Sequence, residues 1–292
     1  MDQFEKKLDI CRKNALECSD RMERDFESRE SHIADLFSVI GETIDGNDPD
    51  AIREEYAALM KSGVRADAIC VPLGLSDGTA FASQFILPEI RDAYSVRRGG
   101  GDVAYCKNAL TDDSFARFSR SLREIRPKRA SSFEESCEIV YSARADFCIL
   151  PVENSRDGLL SGFRRMIDRY ELYVCGLCRI EENEDDTVKA ALLCRDPAFF
   201  PPKNDDRTKR LCTVSVTLQE HCTLSRLLSA SEMFGMTLAR AHSVPDEDYY
   251  SDPGRSYLLT FEIKNEPKPF LNWLELEGHG WKLMGAYNYF TK

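Results

Sequence analysis

Long apolar runs are missing from this chain: no uninterrupted hydrophobic stretch reaches ten residues. A membrane-spanning helix needs about 20, so no segment is expected to cross a bilayer. The stretch MDQFEKKLDI has no apolar core of the secretory kind, and no secretion signal is expected there. Positive charge is in deficit, with 39 Lys and Arg against 50 Asp and Glu and a net charge of −11. That balance excludes nucleic acid and anionic membrane as the main partner. It gives an anionic small molecule no long-range attraction either, so a site for one requires a local cluster of Arg or Lys. Histidine is scarce. His32, His221, His242 and His279 are scattered outside any metal-ligand or triad spacing, and neither a metal nor a cofactor is expected.

What is present is ordinary globular material, 42% hydrophobic and 30% charged over 292 residues, enough for two or three domains. Eleven cysteines without a secretory segment read as reduced, small buried hydrophobes of a cytoplasmic protein. Cys175 and Cys178 form a lone CxxC on an expected strand with no second Cys/His pair nearby, and so predict core packing.

Gly and Pro are absent from Met1 to Ile40. Phe4, Leu8, Cys11, Ala15, Cys18 and Met22 alternate steps of four and three, a heptad seam. The seam meets Asp25 and Arg29, then resumes at Ile33, Leu36 and Ile40. Such a helix would be about 55 Å long, more than its own chain alone can cover, which predicts a homodimer formed through it. A second helix is expected from Asp50 to Lys61. A third is expected from Thr79 to Arg97, with Pro88 as its start or a kink. Gly99 to Gly101 reads as a linker.

The chain is organised around Asp146 to Gly158, DFCILPVENSRDG. Phe147 to Leu150 is an apolar run of the buried-strand kind, and Pro151, lacking an N–H, is expected to stop its ladder. Glu153, Asn154 and Ser155 follow at the strand's carboxyl end, where open α/β sheets bind ligands. An amphipathic helix, Phe133 to Ala143, precedes the strand, and a helix, Leu159 to Arg169, follows. Strands Glu171 to Ile180 and Val188 to Cys194 come next, then a second linker, Asp196 to Lys209. From Leu211 the order is strand, helix (Thr223 to Phe234), strand, strand, helix (Lys268 to Leu276), strand, a βαββαβ pattern of the ferredoxin-like kind.

The stretch SFEESCEIVYSARADFCILPVENSRDGLLSGFRRMIDRYELYVCGLCRI resembles the prephenate dehydratase family in residue type and order. The whole chain is similar to the bifunctional chorismate mutase–prephenate dehydratases that end in an ACT domain. The resemblance implies a multidomain α + α/β + α+β protein: a helical mutase-like domain (1–98), a truncated dehydratase-like lobe (102–197) and an ACT-like domain (210–292). It implies Arg12 and Arg29 as the mutase's first-helix cations, the alternative for Arg29 being an ion pair across a dimer interface. It implies Glu153, Asn154 and Ser155 as substrate-side groups of the dehydratase. Register leaves two readings of TVKA: Thr187 keeps the position of the family's acid, or Lys189 replaces its Arg.

Departures from the family accompany these matches. Its Gly-rich substrate loop would fall at Cys106 to Asp113, where CKNALTDD has no glycine. Only Arg179 to Asp186 stands where its second lobe is inserted, and the Ser-His-Pro and Gln-Cys contacts of that lobe occur nowhere. The effector turns correspond to Cys222-Thr223-Leu224 and His242-Ser243-Val244-Pro245, without the family's Gly, Glu and Arg. Two functions follow as expectations. One is a catalytically impaired protein of the phenylalanine branch that binds a small aromatic acid or amino acid (prephenate, chorismate or phenylalanine). The other is an active mutase or dehydratase.

Overall fold

The computed structural model describes residues 24, 48–63, 65–66, 86–97, 99–122, 124–181, 186–200, 208–218, 223–243, 256–264 and 266–290. The expected long helix, with Arg12 and Arg29, lies outside them apart from Arg24, and so does Pro245. Among the described residues no helix is long and apolar enough to cross a membrane. The chain divides into two compact units, Met1–Pro88 and Glu89–Lys292.

In the first unit, helix α1 (Pro49–Lys61) matches the expectation for that segment. Pro49 stands in its first turn, and Asp48 caps it by accepting from the N–H groups of Asp50 and Ala51 at 3.0 and 3.3 Å. Ile52, Tyr56 and Leu59 form its buried stripe.

A short helix, α2 (Pro88–Arg91), begins on the last residue of the first unit, and a two-residue strand, β1 (Ser95–Val96), follows in the second. The helix expected to run to Arg97 therefore ends at Arg91. Pro88 marks a start, and the following chain is drawn into parallel pairing with β8 (Ala198–Phe199), inside the segment expected to be a linker.

An alternation of strand and helix comes next, with β2 paired in parallel to both β3 and β4: β2 (Gly101–Cys106), α3 (Ala109–Ser121), β3 (Ile125–Ala130), α4 (Phe133–Tyr141) and β4 (Phe147–Asn154). Both faces of the sheet are covered at β4, so Phe147 to Leu150 is a continuous buried apolar run. Cys148 and Leu150 face α4, whereas Phe147 and Ile149 face Phe118 of α3. After β5 (Gly158–Leu159) and α5 (Ser161–Arg169), strands β6 (Tyr173–Glu181) and β7 (Thr187–Cys194) complete this half. Strand β4 runs past Pro151 to Asn154. The ladder with β7 shifts between Pro151 and Glu153, and a bulge of that kind accommodates a residue with no N–H to donate.

The remaining elements are β9 (Thr208–Thr217), α6 (Leu224–Met233), β10 (Met236–Ser243), β11 (Ser256–Ile263), α7 (Lys268–Leu276) and β12 (Gly280–Phe290). Their sheet order β10-β11-β9-β12 is the arrangement expected of a βαββαβ unit. One face is sealed by Phe234, Phe270 and Trp273 packing with Phe261 of β11. The two halves share one sheet. Asn288, Tyr289 and Phe290 of β12 pair in parallel with Gly176, Leu177 and Cys178 of β6, giving the continuous order β10-β11-β9-β12-β6-β7-β4-β2-β3.

This seam depends on close approach. Ladder shifts occur on both sides of it, between Leu283 and Gly285 and between Val174 and Gly176. A Cβ on Gly285 would lie 2.9 Å from the carbonyl carbon of Val174, so no larger residue fits without displacement.

Candidate functional site: a cationic cavity where the sheet curls

From β10 to β4 is six strand steps, about 29 Å in a flat sheet at the usual spacing. Yet Arg240 of β10 forms an ion pair with Glu153 of β4. The sheet therefore curls, and its concave side encloses a cavity of about 290 Å³, close to the lower end of the range for small-molecule sites.

The floor and walls are mostly apolar: Leu159, Ile167, Leu177, Leu211, Leu258 and Met284 contribute, with the rings of Tyr287 and Tyr289. Polar groups converge on one side. Lys189, the cross-strand partner of Glu153 on β7, places Nζ 2.9 Å from its Oε1, while Arg240 holds Oε2 through Nη1. The side chains of Glu153 and Lys189 are only 18% and 20% exposed. That places the cluster between surface pairs and fully buried ones, so losing one partner should cost about 1–3 kcal/mol. Burial lowers the pKa of Lys189, and Arg179 opposite it on β6 lowers it further, while Tyr289 acts the other way.

His242, two residues beyond Arg240, projects to the same face. Its Nε2 is buried and has no hydrogen-bond partner among the described residues. Burial, then the charges of Arg240 and Lys189, push its pKa below the usual imidazole value. A chain of hydroxyls completes the polar side: Thr213 Oγ1 lies 2.9 Å from Thr260 Oγ1 and 2.8 Å from Tyr287 Oη. Burial pushes Tyr287 up to about 12, so it remains a neutral donor or acceptor. Towards the edges, Arg164 is paired with Asp168 at 2.7 Å and Lys209 with Glu262 at 2.7 Å.

Of the residues singled out from sequence, Glu153, Lys189 and His242 line this cavity together. Asn154 and Ser155 do not. The Asn154 side chain closes an Asx-type turn, donating to Asp157 Oδ2 at 2.8 Å and accepting from the Asp157 N–H at 2.5 Å. Ser155 Oγ accepts from the N–H of Thr187 at 3.1 Å, and the Ser155 N–H donates to the Thr187 carbonyl at 2.9 Å. Thr187 therefore sits beside Ser155, and Lys189 beside Glu153. Leu224 opens α6 and Ser243 ends β10, both outside the cavity lining. The segment from Cys106 to Asp113 is largely helix rather than loop. Asn108 and Thr111 form a capping box whose reciprocal bonds, 2.9 and 3.1 Å, occupy amides at the α3 N-terminus.

Sequence reasoning missed Arg240, Arg164, Thr213, Thr260 and Tyr287. For Arg240 a signal existed: in MTLARAHS, Leu238, Arg240 and His242 alternate with exposed Thr237, Ala239, Ala241 and Ser243. The ladder shift after Leu238 changes which face the strand presents: Leu238 pairs with Phe261 on the sealed face, whereas Arg240 and His242 pair with Thr260 and Leu258, which line the cavity.

Neither a protein-family model nor a curated protein matches this chain. Solved structures do. The prephenate dehydratase of Streptococcus mutans is 18% identical with a TM-score of 0.51, over 65% of this chain and 98% of its own. That from Staphylococcus aureus is 11% identical with a TM-score of 0.46, over 64% and 100%. GqqA, described as a quorum quenching acylase, is 19% identical with a TM-score of 0.45, over 64% and 94%. What the first of these likenesses shows is a fold: about two thirds of this chain is built as a prephenate dehydratase is built.

Proposed function

We propose that this chain binds a small aromatic acid or amino acid (prephenate, chorismate or phenylalanine) in the cavity beside Glu153. On this reading it serves ligand binding or regulation in the phenylalanine branch, as a catalytically impaired relative of the prephenate dehydratases. The observation that carries the reading is the cavity itself, in which Lys189, Arg240 and His242 converge over an apolar floor with two tyrosine rings. That combination suits a carboxylate joined to a ring.

Impairment is supported by groups already spent within the protein: Asn154 on Asp157, Ser155 on Thr187, and α3 amides on their own cap. On the same reading residues 1–98 form a mutase-like helical module that pairs two copies of the chain, with Arg12 and Arg29 on it. Residues 102–197 are the dehydratase-like lobe and 210–292 the ACT-like domain.

Calorimetric titration with phenylalanine, tyrosine and prephenate tests the binding, and saturable heat lost in Arg240→Gln is the expected result. Absence of heat with all three would leave only a scaffold role. Assays for chorismate loss and phenylpyruvate formation test the impairment; turnover well above background would establish the active-enzyme alternative. Sedimentation of the full chain tests the homodimer.

A further inference from the structure

The charges lining the cavity do not cancel. Arg164 is neutralised by Asp168 and Lys209 by Glu262. Glu153 alone is divided between Lys189 and Arg240. Four cations thus face three carboxylates, an excess of one positive charge, and it resides at the Lys189–Glu153–Arg240 cluster. Among the described residues Arg240 spends only Nη1 on Glu153, and a guanidinium has five N–H donors. Beside it stands the unpartnered Nε2 of His242. Arg179 is exposed and outside the cavity lining, where water screens it.

We infer that the cavity selects ligands with a single carboxylate and an apolar body, seated against Arg240, Lys189 and His242, and discriminates against those with two. This rests on the binding function proposed above and divides the ligands named there, disfavouring the dicarboxylates prephenate and chorismate. The first carboxylate meets the uncompensated charge. A second has no cation left to meet: it must approach Glu153 or Glu262, or be desolvated against Leu159, Leu177 and Met284. Repulsion between partly buried like charges separated by one ligand's length corresponds to roughly tenfold or more in affinity.

The test compares probes of matched size by calorimetry on the full chain: 3-phenylpropionate, benzylsuccinate and the benzylsuccinate monomethyl ester. The expected result is binding of 3-phenylpropionate and the ester, with benzylsuccinate weaker by roughly tenfold or more. Glu153→Gln frees a further positive charge and should bring benzylsuccinate to within about threefold of the ester, with thermal unfolding confirming that the variant folds. Should it not fold, Glu262→Gln, whose pair with Lys209 is about half exposed, gives the same change in smaller measure. Benzylsuccinate binding as tightly as the ester to the unaltered chain would overturn the charge selection while leaving the binding function intact. Absence of heat with every probe, or binding indifferent to Arg240→Gln, would remove both.

Discussion

His242 shows how far one side chain's state is set by its neighbours. Burial, Arg240 and Lys189 together hold its pKa below the 6.5 of an ordinary imidazole. As pH falls through 6.5, the unfolded chain therefore binds a proton before the folded one does, and stability declines. The contribution is intact above that pH and is lost as pH approaches the depressed folded value. Replacing the ring by Gln removes it, so unfolding free energies of wild type and His242→Gln should diverge below pH 6.5, the variant declining less steeply. Parallel curves would mean the imidazole is charged in the fold. At this scale the sequence was a partial guide. Glu153 and Lys189 followed from a motif and His242 from a resemblance, whereas their common partner Arg240 carried only a period-two signal. Nothing local could place it, because five strands of a curled sheet separate the two partners.

The elements of the second unit were more legible, wherever apolar periodicity was strong. Helix Lys268–Leu276 begins and ends where its pattern does, and α4, α5 and α6 lie within two residues of expectation at each end. Misreadings arose where one residue was given too much local weight. Pro151 does not stop β4, since a ladder shift absorbs it. Where the family's Gly-rich loop would fall, the glycine-free CKNALTDD instead starts a helix capped by Asn108 and Thr111. Gly285 carried no warning of its importance. Its replacement by Ala would force a Cβ into the Val174 carbonyl, separating β12 from β6 at an estimated cost of about 1–3 kcal/mol. A urea midpoint unchanged in Gly285→Ala would show that the seam yields without penalty. The expected result is a lower midpoint together with faster amide exchange at Asn288 and Tyr289.

At the scale of the second unit, the shared sheet matters more than the boundary suggested by composition near Asp196 to Lys209. The pairing of β12 with β6 is parallel, spans three residue pairs, and joins strands remote in sequence, so no local pattern reveals it. Its energetic corollary is cooperativity. Core amides of β4 and β11 should share one opening free energy in native-state hydrogen exchange, each limited by global unfolding. Two distinct isotherms would mean that the halves are stable apart. There is also a temporal corollary. Strand β12 is synthesised after every other described strand, yet it lies between β9 and β6 in the middle of the sheet. A nascent chain on the ribosome therefore holds two unjoined half-sheets, with Arg240 and Glu153 still strangers. Only when Tyr289 can pair with Leu177 are the two walls of the cavity brought together.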